Sequence, residues 1–315
     1  MIETIVSMEL PVGEHLTIVR NRIEPEKDNQ SGNIGRIAIV TGLHGDELEG
    51  QYICYELIRR IQADKEKLTG IVDIYPALNP LGIDAVSRNV PNTDLDMNRM
   101  FPGSENGTMM EKVAARLVDS LIGADFCLDI HASDNFIEEV PQVRISEEFA
   151  KEMMPYARMM NVDMIWTNAS ATVHESTLVH TMNVLGVPSL VLEMGIGNRI
   201  NTSYGNQIVD GIFYLMQKMG LWMGEVATVK SAAVSSDGEI EFIRAEYTGL
   251  FLPAIENDHF VQAGQLVGTI VDPVQGIVLC EVSAQKAGLV FTMREYPIVY
   301  EGAILARILT GIEKR

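Results

Sequence analysis

Three cysteines, two tryptophans and only 24 Lys and Arg against 43 Asp and Glu are what this 315-residue chain holds in short supply. Cys54, Cys127 and Cys280 are scattered, odd in number and without metal-like spacing, which argues against a disulfide scaffold or a cysteine metal knuckle. Buried thiols of a reducing compartment are the simplest account of them. The shortage of basic residues leaves a formal net charge of −19, and long-range repulsion then opposes nucleic acid or an anionic membrane surface as partner. No apolar run approaches the roughly 20 residues of a membrane helix. Met1 to Leu10 carries Glu3 and Glu9 where a secretory leader has a basic start and an apolar stretch. No Gly-rich phosphate loop precedes a Lys, and there is no internal repeat or low-complexity tract. The absences point to a cytoplasmic protein, free to be a homo-oligomer, whose partner is a small molecule.

Apolar residues, by contrast, make up 47% of the chain, enough for a sizeable core and two domains, with 17 Met spread as filler. Apolar runs at 36–41, 71–77, 126–130, 162–167 and 188–193 read as buried strands. Helical periodicity alternates with them at 47–62, 109–122, 147–160, 175–185 and 205–219. That alternation predicts an α/β domain over residues 1–225, with a doubly wound, mostly parallel sheet covered on both faces. After Trp222 the runs shorten and are broken by Gly and Pro, so residues 226–315 read as a smaller all-β domain. Its stretches Gly249–Pro253, Val261–Gly268 and Lys286–Val290 resemble a biotinyl/lipoyl-like hammerhead. Lys286 lacks the flanking residues of a modified carrier lysine, so a capping role is expected instead.

The chemistry concentrates in a few polar residues at the ends of apolar runs. Leu43-His44-Gly45-Asp46-Glu47 follows the run Arg36–Thr41, and Asp129-Ile130-His131 closes the run that starts near Phe126. A His-x-x-Glu pair plus one distant His is the ligand set of a catalytic zinc, which keeps a fourth position open for water or substrate. Taken alone the pair is common, and a turn with an exposed His before a helix start explains it as well. Gly42 and Gly45 favour the metal, since small residues let the backbone approach a ligand. The polar loop that follows holds Arg88, Asn98 and Arg99, groups suited to grip a carboxylate. The run Ser189-Leu-Val-Leu-Glu193-Met-Gly195 ends in one carboxylate, which must be paired, bound to metal or raised in pKa. That is the setting of a general base.

Taken together, His44-Gly45-Asp46-Glu47, Arg88, Asp96-x-Asn98-Arg99-x-Phe101-Pro102-Gly103, Asp129-x-His131 and Glu193-x-Gly195 resemble the succinylglutamate desuccinylase/aspartoacylase family. Those proteins are zinc amidohydrolases related to carboxypeptidase A, and the likeness runs from about residue 36 to 200 in the same order. The resemblance implies that His44, Glu47 and His131 hold one zinc and that Glu193 is the base. It also implies that Arg88 steadies the oxyanion while Asn98 and Arg99 hold a substrate carboxylate. The family's substrate-side residues between His131 and Glu193 are not recognisable in this chain, and no Tyr matches the tyrosine that lines related pockets.

Several residues stand outside that set. Asp129, on the same side of its strand as His131, could orient the ligand imidazole, as metal-bound His requires. His174 and His180 flank a helix start and read as capping or surface residues, and Arg144 reads as an edge-strand arginine. His15 and His259 have no partner pattern. The expected function is therefore zinc-dependent hydrolysis of the amide bond of an N-acylated amino acid or similar small anionic acid. The alternatives are a zinc carboxypeptidase with the same parts, or a catalytically silent protein that binds an acidic metabolite.

Overall fold

The computed structural model describes residues 1–26, 34–91, 93–168 and 175–312. An N-terminal hairpin, β1 (Ile2–Glu9) and β2 (His15–Ile23), precedes β3 (Arg36–Thr41), α1 (Glu49–Ala63), β4 (Ile71–Tyr75) and α2 (Pro80–Ala85). Then come α3 (Met109–Leu121), β5 (Phe126–Ala132), β6 (Ile137–Ser146), α4 (Ala150–Ala157) and β7 (Met164–Asn168). The helix α5 (Leu178–Val184), β8 (Ser189–Gly195) and α6 (Thr202–Lys218) complete this half. The expected strands and long helices are present, with boundaries moved by a few residues. The exception is 147–160, where a short 3-10 turn takes the first three residues and α4, with Pro155 inside it, spans only eight.

Four parallel strands, ordered β4-β3-β5-β8, form the centre of a thirteen-stranded sheet. Their runs are mostly apolar because both faces are covered, with Asp73 in β4 and Asp129 in β5 as buried exceptions. On β3, Ile37 and Ile39 join a core with α1, α4 and α6, whereas Ala38 and Val40 join a second core with α3 and α5. The two-residue strand period divides one run between the two layers.

The sheet as a whole is mixed, not mostly parallel. β1 and β2 add antiparallel to β4 on one side, and β6 runs antiparallel to β8 on the other. β6 escaped the apolar-run criterion because Glu138, Glu139, Pro141, Gln142 and Arg144 interrupt it. It is also an interior strand, hydrogen-bonded to β8, β7 and β15, so Arg144 is not the edge-strand residue expected from sequence.

Beyond residue 226 every regular element but one short 3-10 turn is a strand: β9 (Ala233–Ser236), β10 (Ile240–Arg244), β11 (Gly249–Pro253), β12 (His259–Val261), β13 (Leu266–Asp272), β14 (Ile277–Ser283), β15 (Gly288–Arg294), β16 (Ile298–Val299) and β17 (Ile304–Thr310). Four of them make a separate antiparallel sheet, β14-β13-β11-β16, over a core that includes Phe251, Val267, Ile270 and Val290. The others continue the large sheet: β9 pairs with β7, and β15 pairs with β6 through Thr292↔Glu139 and Met293↔Glu138. Lys286 lies exposed in the turn before β15, its amide donating to the Glu241 carboxylate at 3.0 Å.

Candidate active site

The turn after β3 can form only because two of its residues lack a side chain. Gly42 has φ 71°, and a Cβ on Gly45 would stand 1.9 Å from the Gly82 carbonyl carbon. With that close approach, His44 and Glu47 fold inward over the C-terminal edge of the sheet. Glu47 lies in the turn rather than in the helix, which starts two residues later at Glu49. His131 reaches the same spot from β5, where open α/β sheets gather their ligands.

His44, Glu47 and His131 are all buried, and their ligand atoms lie within 4.8 Å of one another. The Glu47 carboxylate is 2.7 Å from His44 Nδ1 through one oxygen and 2.8 Å from His131 Nδ1 through the other. The outer ring nitrogens face carboxylates as well: His44 Nε2 is 3.0 Å from Asp96 Oδ1, and His131 Nε2 is 3.1 Å from Asp129 Oδ2. Burial disfavours charge on both rings, but these carboxylates outweigh it and raise both imidazoles, His131 well above its ordinary value. Burial likewise works against ionised Glu47, yet the two imidazoles hold its carboxyl far below the usual range. The inward Nδ1 atoms and the Glu47 carboxylate oxygens converge where a dication could take them as donors. The two imidazoles, one carboxylate and outer carboxylates match the donor set and supporting partners of a metal centre.

Beside the cluster opens a cavity of about 540 Å³, lined among others by Arg88, Asn98, Arg99, Arg144, Glu193 and Arg307. Arg88 Nη1 donates to Glu47 Oε1 at 2.9 Å, and its other end lies 3.6 Å from Asp96. Asn98 accepts from the Leu178 amide at 2.9 Å and sets Nδ2 3.5 Å from His131 Nε2, while Arg99 Nη1 donates to the Asn98 carbonyl at 2.8 Å. Glu193 stands directly across from His131 in the parallel β5–β8 register. Burial raises its carboxyl against the pull of Arg144, whose Nη1 is 3.4 Å away.

All seven residues singled out from sequence therefore line one site. His180 also lines the cavity, with its ring against Phe149 at 5.7 Å, whereas His174 lies outside the described residues. His15 and His259 are not in the cavity wall and meet Ser7 and Gln265 instead. Burial raises the Cys54 thiol to about 12, which removes it as a nucleophile. Sequence reasoning missed the Asp96 contact with His44, although Asp96 was in the motif, and the part of Glu139 and Arg307, which nothing in the sequence links.

The same architecture is found in solved structures. The structure of the ectoine utilization protein EutE (DoeB) from Ruegeria pomeroyi, product bound, superposes with a TM-score of 0.79 at 22% identity, covering 97% of this chain and 93% of that one. A succinylglutamate desuccinylase/aspartoacylase from Rhodobacter sphaeroides gives 0.79 at 23% identity, covering 99% and 96%. In sequence, N-alpha-acetyl-L-2,4-diaminobutyric acid deacetylase of Halomonas elongata is 27% identical over 297 residues, 89% of this chain and 83% of that protein. The succinylglutamate desuccinylase/aspartoacylase catalytic domain matches residues 33–219. The chain belongs to the succinylglutamate desuccinylase/aspartoacylase family.

Proposed function

We propose that this protein is a zinc-dependent deacylase that hydrolyses the amide bond of an N-acylated amino acid or a similar small acid. The observation that carries the reading is the buried His44–Glu47–His131 cluster with Glu193 on the neighbouring strand, facing one cavity. His44, Glu47 and His131 would hold the zinc. When bound, zinc lowers the pKa of water and polarises a carbonyl oxygen. Glu193 takes the proton of the attacking water on its carboxylate and passes it to the leaving amine. Its buried, raised carboxyl is suited to both halves of that transfer.

Arg88 stabilises the oxyanion. Nearly half its side chain is exposed, so donors remain after its bond to Glu47. Arg99 takes the substrate carboxylate. Asn98, its side-chain Oδ1 committed to the Leu178 amide, has only Nδ2 to add. We place this machinery in a doubly wound, carboxypeptidase-like catalytic domain of residues 1–225, with 226–315 as a cap. The free thiols suit a cytoplasmic setting.

The size of the cavity supports a second reading, a carboxypeptidase, because 540 Å³ exceeds what a small acyl amino acid fills. A hydrolysis screen of zinc-loaded protein on N-acyl amino acids and short peptides separates the two. The deacylase reading expects kcat/KM to fall sharply toward tripeptides; equal or better values on tripeptides refute it. Glu193→Gln is expected to keep zinc and lower kcat by roughly three orders of magnitude or more.

A further inference from the structure

Glu139 is fully buried one strand away from Glu193, and the C-terminal strands hold it in place. Its Oε1 accepts from Arg307 Nη1 of β17 at 2.6 Å and from the Thr292 hydroxyl of β15 at 3.2 Å. Its Oε2 accepts from Arg144 Nη2 at 2.7 Å. The register explains the meeting: Gly195, Glu139, Thr292 and Arg307 are successive cross-strand partners on β8, β6, β15 and β17. Directly paired residues share a face, so the row runs sideways from the end of the Glu193 strand into the C-terminal region.

Arg144 is fixed twice over, by Glu139 and by the Trp166 ring, whose centre lies 5.5 Å from the guanidinium carbon. Arg307 stacks on the same Trp166 at 5.8 Å. Two guanidinium groups and two carboxylates thus balance in charge, which leaves no surplus to bind an anion. What the assembly presents to the cavity is a held Arg144 Nη1, 3.4 Å from Glu193 Oε1. That spacing orients the carboxylate without a close bidentate pair that would consume its basicity.

We infer that Arg307 is a positioning residue: through Glu139 and Arg144, strand β17 fixes the orientation of Glu193. The inference rests on the reading of Glu193 as the base. It makes the C-terminal region a part of the catalytic arrangement and not only a wall beside it.

The test uses the full-length, zinc-loaded protein and an N-acyl amino acid that it hydrolyses. Arg307→Met is expected to lower kcat about tenfold, as small misplacements of a reacting group do, with KM within about twofold and zinc content unchanged. Arg307→Lys restores part of the loss. In a Glu193→Gln background, Arg307→Met adds less than about twofold, because the group it positions is gone. Wild-type kcat in Arg307→Met, or an equal loss in both backgrounds, overturns the inference while leaving Glu193 as base. Near-normal turnover of Glu193→Gln alone overturns the base reading instead. If Arg307→Met does not fold, Thr292→Val removes one bond to Glu139 without unbalancing charge; a kcat loss of about threefold supports the inference, and none overturns it.

Discussion

Replacing Asp129 by Asn probes the proposed zinc site from just outside the residues that would hold the metal. Asp129 is fully buried, its Oδ2 lies 3.1 Å from His131 Nε2, and its Oδ1 meets no hydrogen-bond donor among the described residues. Asn has nearly the same shape and keeps an acceptor, so the substitution opens no cavity. It removes the charge that holds the proton on Nε2 and makes Nδ1, the nitrogen facing Glu47, the better donor to a metal. Loss of such a partner costs roughly 10–100-fold in metal affinity, or about 1.4–2.7 kcal/mol at 1.4 kcal/mol per decade. Asp96→Asn serves as the internal comparison. The Asp96 side chain is 22% exposed and shared with Arg88, so water and Arg88 already weaken its hold on His44. Its effect should stay below about tenfold. Zinc titration against a competing chelator, with circular dichroism to verify the fold, measures both. Wild-type affinity in Asp129→Asn, or a larger loss in Asp96→Asn, would refute the argument from buried charge.

Three further outcomes are expected. Arg99→Ala raises KM about tenfold with kcat within about twofold, since one charge-assisted bond to a ground-state carboxylate is lost; a fall in kcat at constant KM assigns Arg99 to the transition state instead. Glu56 is held down to about 2 by Arg59 and Arg60, so its stabilising contribution is present above the ordinary 4.5 and lost as pH falls toward 2. Because Arg59 is more than half exposed, screening reduces that contribution to about 1 kcal/mol. Glu56→Gln should thus lower the urea midpoint at pH 7 and converge with wild type near pH 2; a gap that persists in acid points to packing. Gly50→Ala places a Cβ 1.8 Å from Thr41 Oγ1, which itself donates to the Ile130 carbonyl at 2.9 Å. The cost is about 1–3 kcal/mol in thermal unfolding, relieved in full only by Thr41→Gly, because the Thr41 Cβ itself would stand 2.5 Å from the new methyl; simple additivity of the two would show that the clash is absorbed elsewhere.

The sequence by itself determined the central strands and the grouping of His44, Glu47 and His131. β3, β5 and β8 are covered on both faces, so their runs are largely apolar and the few polar residues in them or just beyond their ends stand out. His131 and Glu193 are legible because each lies at the end of a buried run, and His44 and Glu47 because they form a His-x-x-Glu pair in the turn just after one. The polar loop with Arg88, Asn98 and Arg99 stands out because cations are scarce in a chain of −19.

Tertiary structure alone decided the rest. β6 carries Glu and Arg in its interior, and only its burial between β8, β7 and β15 shows that these charges are paired with one another. The bond between Glu139 and Arg307 spans 168 residues, and neither side chain signals the other along the chain. The C-terminal strands read correctly as strands, yet their merger with the large sheet depended on which edge they met. A backbone edge offers the same amide and carbonyl groups whatever its sequence, so pairing across distant segments is settled by packing and register and not by local pattern.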